Sequence, residues 1–218
     1  FSFVQDATVT DHVLGTIAQA SRCVKLTADV VAGGPDIVWG DSAENKIIVV
    51  IGSKTIHRNV LVKPGTQILF DGTGTLTING SFTIEKGDNQ EDSFAIVRGI
   101  DDVYLKDCNG EYSGIVVEGE VAIDGLLMIG GAQFQCAGGS IDHARFHGTL
   151  KVQNESGTLL VKNSIVQGAD TAFVNKGVLA LDTVLVKDCL DAMIDGGEVL
   201  CESVILDAPR KSRDGGAT

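Results

Sequence analysis

The chain has 218 residues and a formal net charge of −12, from 17 basic and 29 acidic side chains. That length suits one large domain or a fragment of something longer, and the acidic balance excludes sequence-independent nucleic-acid binding, which needs basic groups to neutralise phosphate. With 27 Gly, 3 Pro and few aromatics, the composition favours short strands joined by tight turns over a helical bundle.

In chain order, the first predicted element is a helix. Behind an N-cap at Thr10 or Asp11, HVLGTIAQASRCV places Val13, Leu14, Ile17 and Ala18 on one face. Such a helix would plug the open end of a repeat core. Residues 35–60 alternate apolar runs with turn clusters and read as strands. VLVKPGTQILFDGTGTLTINGSFTIEKG (60–87) gives three strands separated by Pro-Gly and Gly-Thr-Gly turns, and 87–93 is a polar loop.

From there a repeat organises the chain. GIDDVYLKDC (99–108) returns as ALDTVLVKDC (180–189). The shared unit is an acidic or amide residue, a small or polar one, then a short apolar strand. It is found at Asp101, Asp124, Asp142, Asn163, Asp182 and Glu202, in steps of 23, 18, 21, 19 and 20. Two-helix repeats need about 33 residues or more, so a step near 20 fits one coil of a β-solenoid. Stacked coils bury together the apolar face that no coil can bury alone.

Strand alternation sorts the positions. Val103, Leu126, Ala144, Ile165, Val184 and Val204 form one inward column, with Leu105, Met128, Phe146, Gln167, Val186 and Leu206 as the next. The column between them faces out: Tyr104, Leu127, Arg145, Val166, Leu185 and Ile205. An apolar stripe in a solvent-facing position implies a covered face, either by a loop of the same chain or by subunit packing, most simply in a parallel homotrimer. The expected organisation is an N-terminal capping region over 1–60, a parallel β-helix over 61–208 and an exposed tail or linker over 209–218.

The order of capping helix, VLVKPGTQILFDGTGTLTI and rungs such as GIDDVYLKDC resembles the right-handed parallel β-helix proteins of the pectate-lyase superfamily, which include bacteriophage tailspikes. The resemblance spans residues 10–208. It implies an all-β, right-handed parallel β-helix and leaves activity open, because that scaffold serves polysaccharide lyases, glycoside hydrolases, trimeric viral adhesins and structural virion parts.

The superfamily's polygalacturonase-like branch uses Asn-Thr-Asp, Asp-Asp, Gly-His-Gly and Arg-Ile-Lys elements. Asp101-Asp102 matches the second and Phe146-His147-Gly148 part of the third, while the first and last are missing. Adjacent carboxylates such as Asp101 and Asp102 point apart on a strand, whereas glycoside hydrolysis needs them to converge. In DHARFHG (142–148), alternation places His143, Arg145 and His147 on one face, where they could bind an anionic sugar, supply acid–base chemistry or fill an interface.

The five cysteines, Cys23, Cys108, Cys136, Cys189 and Cys201, follow no disulfide or zinc spacing and read as small buried apolar residues. No cofactor or metal site is expected, and no apolar run reaches the roughly 18 residues of a membrane span. The expectation is a non-enzymatic structural or adhesion module of a virion or cell surface, trimeric on the face above. Its partners would be copies of itself, other virion or surface proteins and polysaccharide. The alternative is a depolymerase acting through residues around His143–His147.

Overall fold

Alternating runs of three to five residues become strands, and each pairs in parallel with the strand one coil away. The computed structural model describes residues 23–40, 47–87, 94–100, 112–148, 151–209 and 213–214. These form an all-β parallel solenoid of about eight turns. The capping helix expected near residues 11–23 lies outside the described residues, apart from Cys23, which begins the strand Cys23–Leu26. Parallel pairing runs from Cys23 to Asp214, so residues before 61 already supply coils.

Each coil lays strands on three faces. The first carries Ile37–Trp39, Val60–Val62 and Phe82–Ile84 in register. Further on, Val121–Ile129, Gly139–His147, Thr158–Gln167 and Val178–Lys187 run from the first face onto the second. The third face is a separate sheet that includes Thr75–Ile78, Gly114–Val117, Gln133–Cys136, Lys151–Asn154, Thr171–Asn175 and Asp191–Asp195. Phe70, Phe82, Phe134, Phe146 and Phe173 fill the core between the faces, each no more than 1% exposed. Phe70 stacks on Tyr112 at 4.4 Å, and the Tyr112 hydroxyl donates to the Ile129 carbonyl at 2.9 Å.

The long strands turn their corner at a residue in the left-handed region. Gly125, His143, Asn163, Thr183 and Ser203 occupy this position, with φ between 44° and 91°. The corner breaks the alternation, so Ile141, Ala144 and Phe146 all point inward. A left-handed φ suits Gly and Asn but strains a β-branched residue. Thr183→Asn is therefore expected to raise stability by about 1 kcal/mol, read from the urea midpoint. A lower midpoint would show that the bond from Thr183 Oγ1 to Asp182 Oδ1, 2.9 Å, outweighs the strain.

This corner corrects the register at one coil. Pairing aligns Asp142 with Lys162, then Asp182 and Glu202, so Asn163 is a corner residue and does not begin the unit. Corner to corner, the steps are 18, 20, 20 and 20. Ser164 and Val166 consequently face the core at 1% and 0% exposure, while Ile165 and Gln167 point outward. The Ser164 hydroxyl is satisfied there, accepting from the Ala144 amide at 3.0 Å and donating to the Lys162 carbonyl.

The repeated decapeptides are also not equivalent in position. Gly99 pairs with Phe70 on the second face, whereas Ala180 pairs with Leu160 on the first. The strand in register with Leu126–Met128 is Ala95–Gly99, and residues 101–111, including Val103 and Leu105, lie outside the described residues.

At the turn from third to first face, a polar ladder enters the core. Asn154 Nδ2 donates to Asn175 Oδ1 at 3.0 Å, and Asn175 Nδ2 donates to Asp195 Oδ1 at 3.0 Å. Asn154 and Asn175 are both 1% exposed. Their amides also reach the turn carbonyls of Gly157 and Gly177. The ladder thus adds a side-chain donor to turn carbonyls that also accept the Val178 and Glu198 amides of the next coil.

Candidate functional site

The outward side of the first face carries a shallow groove. Its floor follows one register column, Thr83, Ala122, Ser140, Leu160, Ala180 and Leu200. One section of about 390 Å³ extends to Asp124, Asp142 and Lys162, and a second of about 350 Å³ continues to Asp182 and Glu202. Small residues at Thr83, Ala122, Ser140 and Ala180 deepen the groove between the larger Leu160 and Leu200, since parallel strands stack their side chains directly over one another. The rim is charged, and the lining includes no aromatic ring on which a sugar could stack.

Charge along the rim is locally paired. Lys63 Nζ lies 2.8 Å from Glu85, and Lys162 Nζ lies 3.9 Å from Asp182. Between them Asp124 and Asp142 stand in register on adjacent coils, where like charges repel. His143 turns towards both: its Nδ1 is 3.1 Å from Asp124 Oδ1 and 3.1 Å from Asp142 Oδ1. Asn163, one coil on, donates from Nδ2 to Asp142 Oδ1 at 2.8 Å. The three side chains are half-buried.

No family model, curated protein or solved structure matches the chain.

Among the described residues, the candidate catalytic side chains His143, Arg145 and His147 do not converge. His143 sits at the corner and addresses the aspartate pair, while Arg145 and His147 are exposed on the second face. The left-handed φ at 143 separates it from the other two, which strand alternation alone would have kept together. Asp101, Asp102 and Tyr104 lie outside the described residues. Of the expected outward column, Leu127 and Leu185 are half-buried on the second face and Ile205 is 64% exposed. Val166 leaves the column, as its burial shows, and Ile165 takes its place between Arg145 and Leu185. Ile96 joins it through pairing with Leu127.

Sequence reasoning missed Asp124 and Asp142 as partners. The signal was present as two Asp residues beginning consecutive units, 18 apart, with His143 following the second. Among the thiols, Cys136 and Cys189 are buried as expected, and Cys201 is exposed. Burial pushes the Cys136 thiol up to about 11, which leaves almost no nucleophilic thiolate near neutral pH.

Proposed function

We propose that the chain is a non-enzymatic structural or adhesion module of a virion or cell surface, assembled as a homotrimer of parallel copies. The observation that carries this reading is the outward column of the second face: Ile96, Leu127, Ile165, Leu185 and Ile205, interrupted by Arg145. A solvated sheet face prefers polar residues, and the matching column of the third face is mixed, with Thr55, Thr77, Gln135 and Gln153 alongside Val116, Val174 and Ile194. Parallel copies repeat the column at the same coil spacing, so apolar rungs can meet apolar rungs in register. The dispersal of His143, Arg145 and His147 supports a non-enzymatic role. The virion or cell-surface setting follows from the resemblance to tailspike rungs, and a glycan partner would engage the groove of the first face.

Light scattering tests the assembly. The expected mass is three times the 22.8 kDa of one chain. Leu185→Asp should yield monomers at the same concentration with an unchanged far-UV spectrum, because it buries a charge in the contact. A monomeric parent chain ends the trimer reading. New reducing ends or unsaturated products from acidic polysaccharides would place the chain with depolymerases instead.

A further inference from the structure

We propose that Asp124, Asp142 and His143 bind one divalent transition cation of the zinc or manganese class, joining two adjacent coils at the rim of the groove. One ligand atom from each residue lies within 4.8 Å of the other two. Two carboxylate oxygens and an imidazole nitrogen are a borderline donor set, suited to such ions and less to calcium, which prefers oxygen alone.

The distances suit a shared cation as well as a hydrogen-bonded cluster. His143 Nδ1 is 3.1 Å from an oxygen of each aspartate. A ring nitrogen carries at most one hydrogen, and here Nδ1 hydrogen-bonds Asp124, so its equally close approach to Asp142 is a contact between ligand atoms without a hydrogen bond. Around an ion with bonds of about 2.1 Å, neighbouring donors lie about 3.0–3.4 Å apart. A small closure towards the centre therefore converts the cluster into a coordination edge set. The bond from Asn163 Nδ2 to Asp142 Oδ1, 2.8 Å, orients that carboxylate from the next coil, as outer-shell partners of metal ligands do.

Charge points the same way. Across the rim, Lys63 meets Glu85 and Lys162 meets Asp182, while the Asp124–Asp142 pair has a histidine between its members. A divalent ion neutralises both carboxylates together. It also ties coils whose ligands are 18 and 19 residues apart in sequence, which makes it a staple between repeats.

The test is calorimetric titration of the chelator-treated full chain with zinc sulfate and, separately, manganese chloride. Both use a Cys201→Ser background that removes the exposed thiol as a competing ligand. The expected result is one saturable site per chain, with a melting temperature raised by about 5–10 °C at a hundredfold excess over the dissociation constant. His143→Asn should weaken binding tenfold or more while preserving the fold, since Asn163 already holds the corresponding corner at φ 44°. Asp124→Asn should weaken it comparably. Absence of saturable binding overturns the proposal. So does binding that both variants retain, or calcium binding as tight as zinc and indifferent to His143→Asn.

Discussion

Asn175→Ala is expected to lower stability by about 3–5 kcal/mol, one of the two largest losses among the substitutions considered. The side chain is 1% exposed and joins three coils. Its Nδ2 reaches the Gly177 carbonyl at 3.1 Å, the Glu198 carbonyl at 3.0 Å and Asp195 Oδ1 at 3.0 Å. Its Oδ1 accepts from Asn154 Nδ2 at 3.0 Å and from the Gly177 amide at 3.2 Å. Truncation removes all these bonds together: the Gly177 amide and the buried Asn154 amide lose their acceptor, while the Gly177 carbonyl keeps only the Glu198 amide, and each lost bond to a poorly solvated group costs about 1–3 kcal/mol before the losses are pooled. Val174→Thr, the outward neighbour on the same strand, should stay within about 0.5 kcal/mol. Urea unfolding of the two variants compares them directly. Hydrogen exchange should show lost protection over residues 176–207 first in Asn175→Ala, because coils stabilise one another only through neighbours. An unchanged midpoint would mean that the ladder is ornamental.

The coil architecture was legible because its cause is local: a step near 20 and alternation within short strands leave few ways to bury Val, Ile and Phe. The register around Lys162 was less legible. There the recurring unit was identified by its acidic residue, yet what recurs structurally is the left-handed corner that follows. Lys162 stands where other coils place Asp or Glu, and Asn163 at the corner imitates the start of a unit. The likeness of GIDDVYLKDC to ALDTVLVKDC misled for a related reason, since similar letters can lie on different faces when a coil is lengthened. The coil from Phe82–Ile84 to Val121–Ile129 spans 39 residues between its first-face starts, nearly twice the usual step.

Part of the outward apolar column could be read from alternation, at Leu127, Arg145, Leu185 and Ile205, whereas Val166 was assigned outward and Ile165 holds that place. The Asp124–Asp142–His143 cluster needs more. Its members meet only when adjacent coils stack in the observed register and when residue 143 takes a positive φ. Alternation alone assigns His143 to the company of Arg145 and His147. A single corner dihedral reassigns it to the groove rim, and with it the chemistry available there.

That dependence on coil spacing also sets the second large effect, expected at Gly139. A Cβ there would lie 2.0 Å from the Val121 carbonyl oxygen and 2.6 Å from its nitrogen, backbone atoms that cannot rotate away. Gly139 also has φ +114°, outside the comfortable range of L side chains. Gly139→Ala must therefore separate two coils or twist the strand, and the expected loss is about 3–5 kcal/mol. Gly72→Ala gives a comparison with left-handed strain but no contact, at a smaller φ than Gly139. Gly72 has φ +75° but nothing within 4 Å of its added Cβ, so only left-handed strain of about 1–2 kcal/mol is expected. For a chain of this size, the two should melt about 6–20 °C and 2–8 °C below the parent, respectively. Equal depressions would show that strain, and not the stacking distance between coils, limits what the solenoid accepts.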